Sequence, residues 1–483
     1  MKYPITAAAV LVASSPALAQ FNPFGPVQQG DLTVGIVDFA ELPDSGSPAR
    51  ASVMTSDPAG RLFVNDQRGP LYTVSDDGSS VTEYLDLRDV GGVSLRTASG
   101  EQGFQSFAFH PDFYNVGTSG YGKFYTFASS SVAANPDFNG SSAVNFSERL
   151  LEWTASDPTA STFTPANAAA PYREVIRFAE NYGNHNGGLI AFNTTGDPAD
   201  RGNLYLALGD GGSGNDPDNN GQDASNPYGA VLRINPLGKD SANGQYGLVQ
   251  ANAFASDDDA NTLAEIYSYG LRNPQRFGWD TADGSMYIAD IGQDRIEELD
   301  LAVNGGNFGW DRQEGSFDSA NPGSGDDSSF IDPVAEYDHN GSFPGNTTGS
   351  YAMTVGEVAR GTGIDGLDGK LLAGDFPNGI LLYLDVDNDP LDGGQDGLFE
   401  LGLVDDDGND VRLIDLINEE RAVNGLGSVT RADLRYSLGT GGQVFVTNKQ
   451  DGVIRQLVAI PEPASIGLLG LGGLYLLRRR NRA

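Results

Sequence analysis

ADRGNLYLALGD, residues 199–210, sets a turn containing Asp200 and Gly202 before a short apolar run that carries Tyr205. Polar residues follow at once. The same arrangement recurs as DPAGRLFVND (57–66), SGYGKFYTFA (119–128), TADGSMYIAD (281–290), GLDGKLLAGD (366–375) and GTGGQVFVTN (439–448). The central residues Phe63, Phe124, Tyr205, Tyr287, Leu372 and Phe445 are 61, 81, 82, 85 and 73 residues apart. Each copy reads as a strand bounded by turn signals, and no long 3.6-period apolar pattern competes with them. Repetition of a β unit at this period predicts a propeller, in which each blade is a small twisted antiparallel sheet. Six copies predict six blades, so the fold expected is all-β, a six-bladed β-propeller. A pair of β-sandwiches with chance similarity is the competing reading, which six copies disfavour. A four-stranded blade needs only about 40–45 residues, so the surplus falls in long loops, where sites are built. The early run DLTVGIVDF (31–39) is placed to pair with the last blade and close the ring.

The two ends read differently from this body. MKYPITAAAVLVASSPALAQ has a lysine, an apolar run too short to span a bilayer, and a small-residue site before Gln20, the pattern of a secretory signal peptide over 1–19. The other end, PEPASIGLLGLGGLYLLRRRNRA, joins a Pro-Glu-Pro turn to an apolar run closed by Arg478, Arg479, Arg480 and Arg482. That order resembles the PEP-CTERM sorting tail of Gram-negative bacteria. The resemblance implies removal by an exosortase and membrane contact only through this segment before processing; a permanent anchor is the alternative. The expected location is outside the cytoplasm: periplasm, cell surface or extracellular matrix. Zero cysteines exclude disulfides, thiolate metal sites and a covalently attached haem. The formal charge of −36 excludes nucleic acid as a partner and favours cations.

NYGNHNGGLIAF (181–192) holds His185, one of three histidines in the chain. By itself such a residue is more often structural than catalytic, although a neutral imidazole is well suited to accept a hydroxyl proton. Other segments run in order along the chain: GEQGFQSFAFHPDF (100–113), the loop after Leu208, EIYSYGLRNPQRFGWD (265–280), MYIADIGQDRIEEL (286–299), NGGNFGW (304–310), GEVARG (356–361) and VFVTNKQDGVIRQL (444–457). Together they resemble the glucose/sorbosone dehydrogenase family, the soluble pyrroloquinoline quinone (PQQ) sugar dehydrogenases. That resemblance covers almost all of 31–459 and implies the same six-bladed fold, with 460–483 as the sorting segment.

The resemblance also implies roles. His185 matches the family's base, taking a sugar hydroxyl proton while hydride passes to PQQ. Arg272 and Asn273 match the pair that contacts the PQQ carbonyls and carboxylate, with Gln275 as a further contact and Arg276 structural. Arg272 beside a bound Ca²⁺ is expected to stabilise charge developing on the quinone. The backbone carbonyls of Gly292 and Gln293 match the pair that binds that Ca²⁺, a hard cation that prefers oxygen. Gln102 matches a glutamine near sugar or cofactor, and Arg435 and Lys449 are candidates to neutralise PQQ carboxylates. His110 reads as structural, and His339 is left open.

Two acidic loops are candidate structural Ca²⁺ sites. One carries Asp210, Asp216 and Asp218; the other, DVDNDPLDGGQDG (385–397), places Asp385, Asp387 and Asp389 at alternate positions like an EF-hand. The second loop has Pro390 where the sharp turn needs Gly and Asp396 where the bidentate Glu belongs, and a solvated turn is the alternative. Two departures from the family stand out. YGAVLRI (228–234) lacks a lysine of the pattern LLGKILRI, and VGEVARG (355–361) loses two aromatics of GGYVYRG at or near Val358–Ala359. The expected activity is oxidation of an aldose or related sugar, with electrons leaving to an external acceptor. The rival is a non-catalytic, calcium-stabilised propeller that binds polysaccharide or protein in the extracellular matrix. A lactone hydrolase on a similar propeller is disfavoured by HNGG and GLRNPQR.

Overall fold

The computed structural model describes residues 22–460 except 45, 142, 320–328, 345 and 347. The signal peptide 1–19 and nearly all of the sorting segment lie outside the described residues. Each of the six quoted repeats supplies a strand: Leu62–Asp66, Lys123–Ser130, Leu204–Leu208, Met286–Asp290, Lys370–Asp375 and Val444–Thr447. Each is the second or next-to-edge strand of its group. All five residues of Leu204–Leu208 are buried, on both faces, because sheets stack against one another on either side. The preceding turns are tied locally, as where Asp57 Oδ1 accepts the N–H groups of Ala59 and Arg61 at 2.9 and 3.0 Å.

Four sheets follow in chain order. They run Ala51–Ser56 to Val81–Asp86, Phe104–Phe109 to Tyr172–Glu180, Ile190–Phe192 to Gly306–Asn307, and Arg276–Trp279 to Ala335–Asp338. The third borrows a strand from within the span of the fourth, since Gly306–Asn307 pairs in parallel with Ile266–Tyr269. Gln313–Glu314 and Phe317–Asp318 form a small two-stranded sheet, and the remaining strands form one eight-stranded sheet rather than two separate blades. Its physical cause is the long strand Gln28–Glu41. One part of that strand pairs in parallel with Leu398–Val404 and another antiparallel with Val453–Val458, so hydrogen bonding runs unbroken from Met353–Val358 to Arg435–Leu438. The architecture is all-β and propeller-like, with one α-helix, Leu413–Val423, among the described residues.

The first strands converge on a common axis. Ala51–Ser56 packs on Phe104–Phe109 and on Arg435–Leu438; Met353–Val358 packs on Arg276–Trp279 and on Arg435–Leu438. Phe104–Phe109 touches Ile190–Phe192, and Leu189 N–H reaches Gln275 O at 3.2 Å. Apolar clusters fill the wedges between neighbouring sheets. A further cluster, with Leu413 and Ile417 of the helix, lies between the two halves of the eight-stranded sheet.

Phe63 is fully buried at such a junction, with its ring centroid 4.5 Å from Phe109 and 5.2 Å from Tyr84. Phe63→Ala removes the whole ring and leaves a cavity, so denaturant unfolding should show a loss of about 3–5 kcal/mol. A loss under about 1 kcal/mol would mean that the wedge collapses around the gap.

Candidate functional site

One end of the ring collects the loops that enter first strands and leave second strands. Glu101 precedes Phe104–Phe109, His185 precedes Ile190–Phe192, and Arg272 to Gln275 precede Arg276–Trp279. Asp210 follows Leu204–Leu208, Asp290 ends its strand, Arg435 begins one, and Lys449 follows Val444–Thr447.

His185 is buried, with φ at 56°, a left-handed backbone uncommon for a non-glycine residue. Its N–H donates to Glu101 Oε2 at 2.8 Å. Its carbonyl lies where a Cβ on residue 209 would come within 2.4 Å, so Gly209 is required there. Nδ1 meets Asp210 Oδ1 at 2.6 Å, and Asp210 Oδ2 accepts the Trp310 indole N–H at 2.9 Å. Burial would raise the Asp210 carboxyl, but His185, Arg272 and the Gly212 N–H together hold it below its ordinary value. An ionised Asp210 makes Nδ1 the donor, and Nε2 has no partner among the described residues.

Glu101 organises the neighbouring amides. The same Oε2 accepts Gln275 Nε2 at 3.0 Å and Asn273 Nδ2 at 3.3 Å. Gln275 Oε1 in turn accepts Arg435 Nη2 at 3.1 Å. The turn holding Arg272 is fixed by Asp290, whose two oxygens accept the backbone N–H groups of Arg272 and Asn273 at 2.7 and 2.6 Å. Burial pushes the Asp290 carboxyl up despite those donors. Arg272 lies 5.4 Å from the Trp310 ring, and its Nη1 donates to the carbonyls of Ile291 and Gly292 at 2.9 and 2.7 Å.

Polar atoms are left over around this centre. Arg272 Nε, Arg435 Nε and Asn273 Oδ1 are buried without a partner among the described residues. Burial and the charge of Arg435 push the Lys449 ammonium well below its ordinary value, with Arg50 and Arg276 adding to the effect and Asp433 opposing it. Burial lowers Arg435 itself to about 10. Arg276 is held by Gln275 O at 2.6 Å and Ser52 O at 3.1 Å. Cations are thus concentrated at one spot of a chain with formal charge −36.

Several expectations need correction. Gln102 Oε1 accepts Arg96 Nε at 3.1 Å, and its neighbour Glu101 makes the contacts to His185, Asn273 and Gln275. Asp210, Asp216 and Asp218 do not converge as an ion site. Asp210 belongs to His185 and Trp310, while Asp216 accepts the N–H groups of Asn220 and Gly221 at 2.9 and 2.7 Å. Asp385, Asp387 and Asp389 also diverge: Asp385 pairs with Lys370 at 2.7 Å, Asp387 with Arg360 at 2.8 Å, and Asp389 accepts the Leu391 N–H. No cluster of three or more acidic or histidine side chains suited to a metal occurs among the described residues. Gly292 O is engaged by Arg272, and the Gln293 side chain exchanges hydrogen bonds with Asn215.

His110 is buried, edge-on to Phe192, with Nδ1 accepting the Asp112 N–H; burial lowers it to about 4. His339 stacks on Tyr351 and meets Glu297 Oε1 at 2.8 Å; burial would lower it, but Glu297 raises it overall. Neither reaches the centre. Glu101 and Trp310, which contact His185 and its partner Asp210, are not among the residues the sequence singles out. Both stand inside quoted segments, GEQG and NFGW, but nothing in those segments says which side chain faces inward.

Comparison with known proteins identifies the family and the fold. The model of the Glucose / Sorbosone dehydrogenase family matches residues 50–394, and the PEP-CTERM protein-sorting motif matches 459–481. The HIPL1 protein of Arabidopsis thaliana is 33% identical over 36% of this chain and 25% of its own length. The HIPL2 protein of the same plant is 28% identical over 52% of this chain and 39% of its own length. The chain therefore spans about a quarter to two-fifths of these curated relatives. The apo-form of the soluble aldose sugar dehydrogenase from Escherichia coli superposes with a TM-score of 0.58 at 18% identity, over 88% of this chain and 99% of that one. The PQQ-bound aldose sugar dehydrogenase from Streptomyces coelicolor gives 0.55 at 20% identity, over 90% and 99%. These likenesses concern the fold, and the family match runs through His185, Arg272 and Asp290 alike. The chain belongs to the glucose/sorbosone dehydrogenase family.

Proposed function

We propose that this protein is an exported, PQQ-dependent sugar dehydrogenase that oxidises an aldose or related sugar, with His185 as base. The observation that carries the reading is the His185–Asp210 pair, which leaves Nε2 free at a centre ringed by cations. The sorting motif implies processing by an exosortase. The eight-stranded sheet is read as two blades joined by Gln28–Glu41, which makes the ring six-bladed.

The residues present fit a group with several carboxylates. Among the described residues Arg272 Nε and Arg435 Nε are buried donors without partners and Asn273 Oδ1 is an acceptor without one, and Lys449 is destabilised as a cation by burial and the charge of Arg435. Arg272, Asn273, Gln275, Arg435 and Lys449 would hold PQQ, and the carbonyls of Gly292 and Gln293 would face Ca²⁺. The chemistry supplied by the bound pair is an acceptor for two electrons beside a Lewis acid.

The chain's own part is proton transfer and electrostatics. Asp210 fixes the imidazole tautomer, so Nε2 accepts the proton of a sugar hydroxyl. Glu101 holds the strained His185 backbone and the amides of Asn273 and Gln275 in one frame. Arg272, gripped by two carbonyls and lying near Trp310, presents fixed positive charge to developing negative charge. Electrons then pass to an external acceptor, since the chain has no cysteine to attach a haem.

Purified protein given PQQ and Ca²⁺ should reduce a dye with at least one member of a sugar panel. His185→Ala should retain PQQ binding and lose about 10²–10⁴-fold in kcat. Failure of PQQ to bind, or equal rates for parent and His185→Ala, sinks this reading and leaves the non-catalytic propeller.

Asp210 gives a pH test. Its folded pKa lies below the unfolded value of about 3.9, so its stabilisation is present above that value and lost as pH falls through the folded pKa. The Tm gap between parent and Asp210→Asn should be widest above pH about 4 and close under more acid conditions. A gap independent of pH would show that charge is not what the pair contributes.

A further inference from the structure

Glu314 stands on the short strand Gln313–Glu314 and is almost wholly buried. One of its oxygens, Oε1, accepts four consecutive backbone N–H groups: Gln293 at 2.7 Å, Asp294 at 2.8 Å, Arg295 at 2.8 Å and Ile296 at 3.2 Å. The N–H before these, on Gly292, turns to a second carboxylate, Glu297 Oε2, at 3.3 Å. Such a run of convergent N–H groups is an anion cradle, and here the anion is built into the chain.

A trans peptide is planar, with its carbonyl pointing opposite to its N–H. Fixing an N–H therefore aims the preceding carbonyl the other way. The turn shows this twice. Gly292 N–H faces Glu297, and the Ile291 carbonyl meets Arg272 Nη1; Gln293 N–H faces Glu314, and the Gly292 carbonyl meets the same Nη1. By the same rule Asp294 N–H, held by Glu314, turns the Gln293 carbonyl away from Glu314, alongside that of Gly292. There is no slack in the turn, because a Cβ on residue 292 would lie 1.6 Å from Ile296 O.

We infer that Glu314 is the positioning residue of this site: by gathering the N–H groups of 293–296 on one oxygen, it sets the carbonyls of Gly292 and Gln293 as a face that receives cations. Arg272 uses that face already. A divalent ion at the same face is the case that rests on the reading proposed above. Neither IGQD nor the stretch QEGS around Glu314 signals the link, since 17 or more residues separate the carboxylate from every N–H it holds.

Hydrogen exchange and cation binding test this with Glu314→Gln and Glu314→Ala in the full chain. In the parent, amides 293–296 should be protected. Glu314→Ala should speed their exchange by tenfold or more, with the isosteric Glu314→Gln between the two. Ca²⁺, titrated by calorimetry in the presence of PQQ, should bind about 10–100-fold more weakly to Glu314→Ala, while Asp387→Ala at the remote Arg360 pair should match the parent. Unchanged exchange at 293–296, or unchanged Ca²⁺ affinity once protection is lost, overturns the role of Glu314. If the parent itself takes no Ca²⁺, the cofactor reading fails, and the exchange data still decide whether Glu314 holds the turn. Glu314→Gln serves the same comparison should Glu314→Ala fail to fold.

Discussion

The pairing of Gln28–Glu41 on two fronts is the constraint on which the rest depends. Parallel bonding to Leu398–Val404 and antiparallel bonding to Val453–Val458 tie the start of the described chain to its end. A propeller left open at that seam would expose two unpaired edges, which sheets do not leave bare. Closure also fixes where the first strands meet. Glu101 reaches Gln275 across 174 residues of sequence, and Gln275 reaches Arg435 across 160. These contacts sit on loops, but their spacing is set by strands packed around one axis.

The electrostatics of the centre run against those of the chain. A protein with formal charge −36 gathers Arg272, Arg276, Arg435 and Lys449 at one end of its axis; burial lowers Arg276, Arg435 and Lys449, and the charge of Arg435 adds to the effect on Arg276 and Lys449. Holding like charges together in a buried place costs stability, and an anion at that place would relieve the cost. Elsewhere the excess acid is dispersed onto backbone N–H groups and isolated bases, as Asp57, Asp216 and Asp387 illustrate.

That dispersal explains which readings were legible in the sequence. Strand repeats are written locally, in an apolar run after a turn, so all six appear as strands. Sheet membership is not local, which is why two expected blades merge through a strand near the other end of the chain. The HNGG and GLRNP loops meet at Glu101, which accepts hydrogen bonds from His185, Asn273 and Gln275. The choice between Glu101 and Gln102 depends on which side of a single backbone step faces inward, and composition is silent on that. The acidic loops misled for a related reason. Alternating aspartates resemble a calcium loop, but Lys370 and Arg360 lie within reach of Asp385 and Asp387 only after folding.

Asp290 and Glu314 divide one task. Asp290 takes the N–H groups of Arg272 and Asn273, fixing the turn from which the guanidinium departs. Glu314 takes those of 293–296, fixing the turn on which it lands. The guanidinium then bridges two backbone segments that are each set by a carboxylate, so its freedom is removed by peptide geometry rather than by a flexible ion pair. A direct ion pair with Asp290 would have offset much of the guanidinium's field. Because both carboxylates are directed at amides instead, Arg272 has one position without a direct ion pair among the described residues, and its charge still reaches Asp210. On the proposed reading, a site that stabilises charge as it develops needs a cation that is both fixed and unpaired.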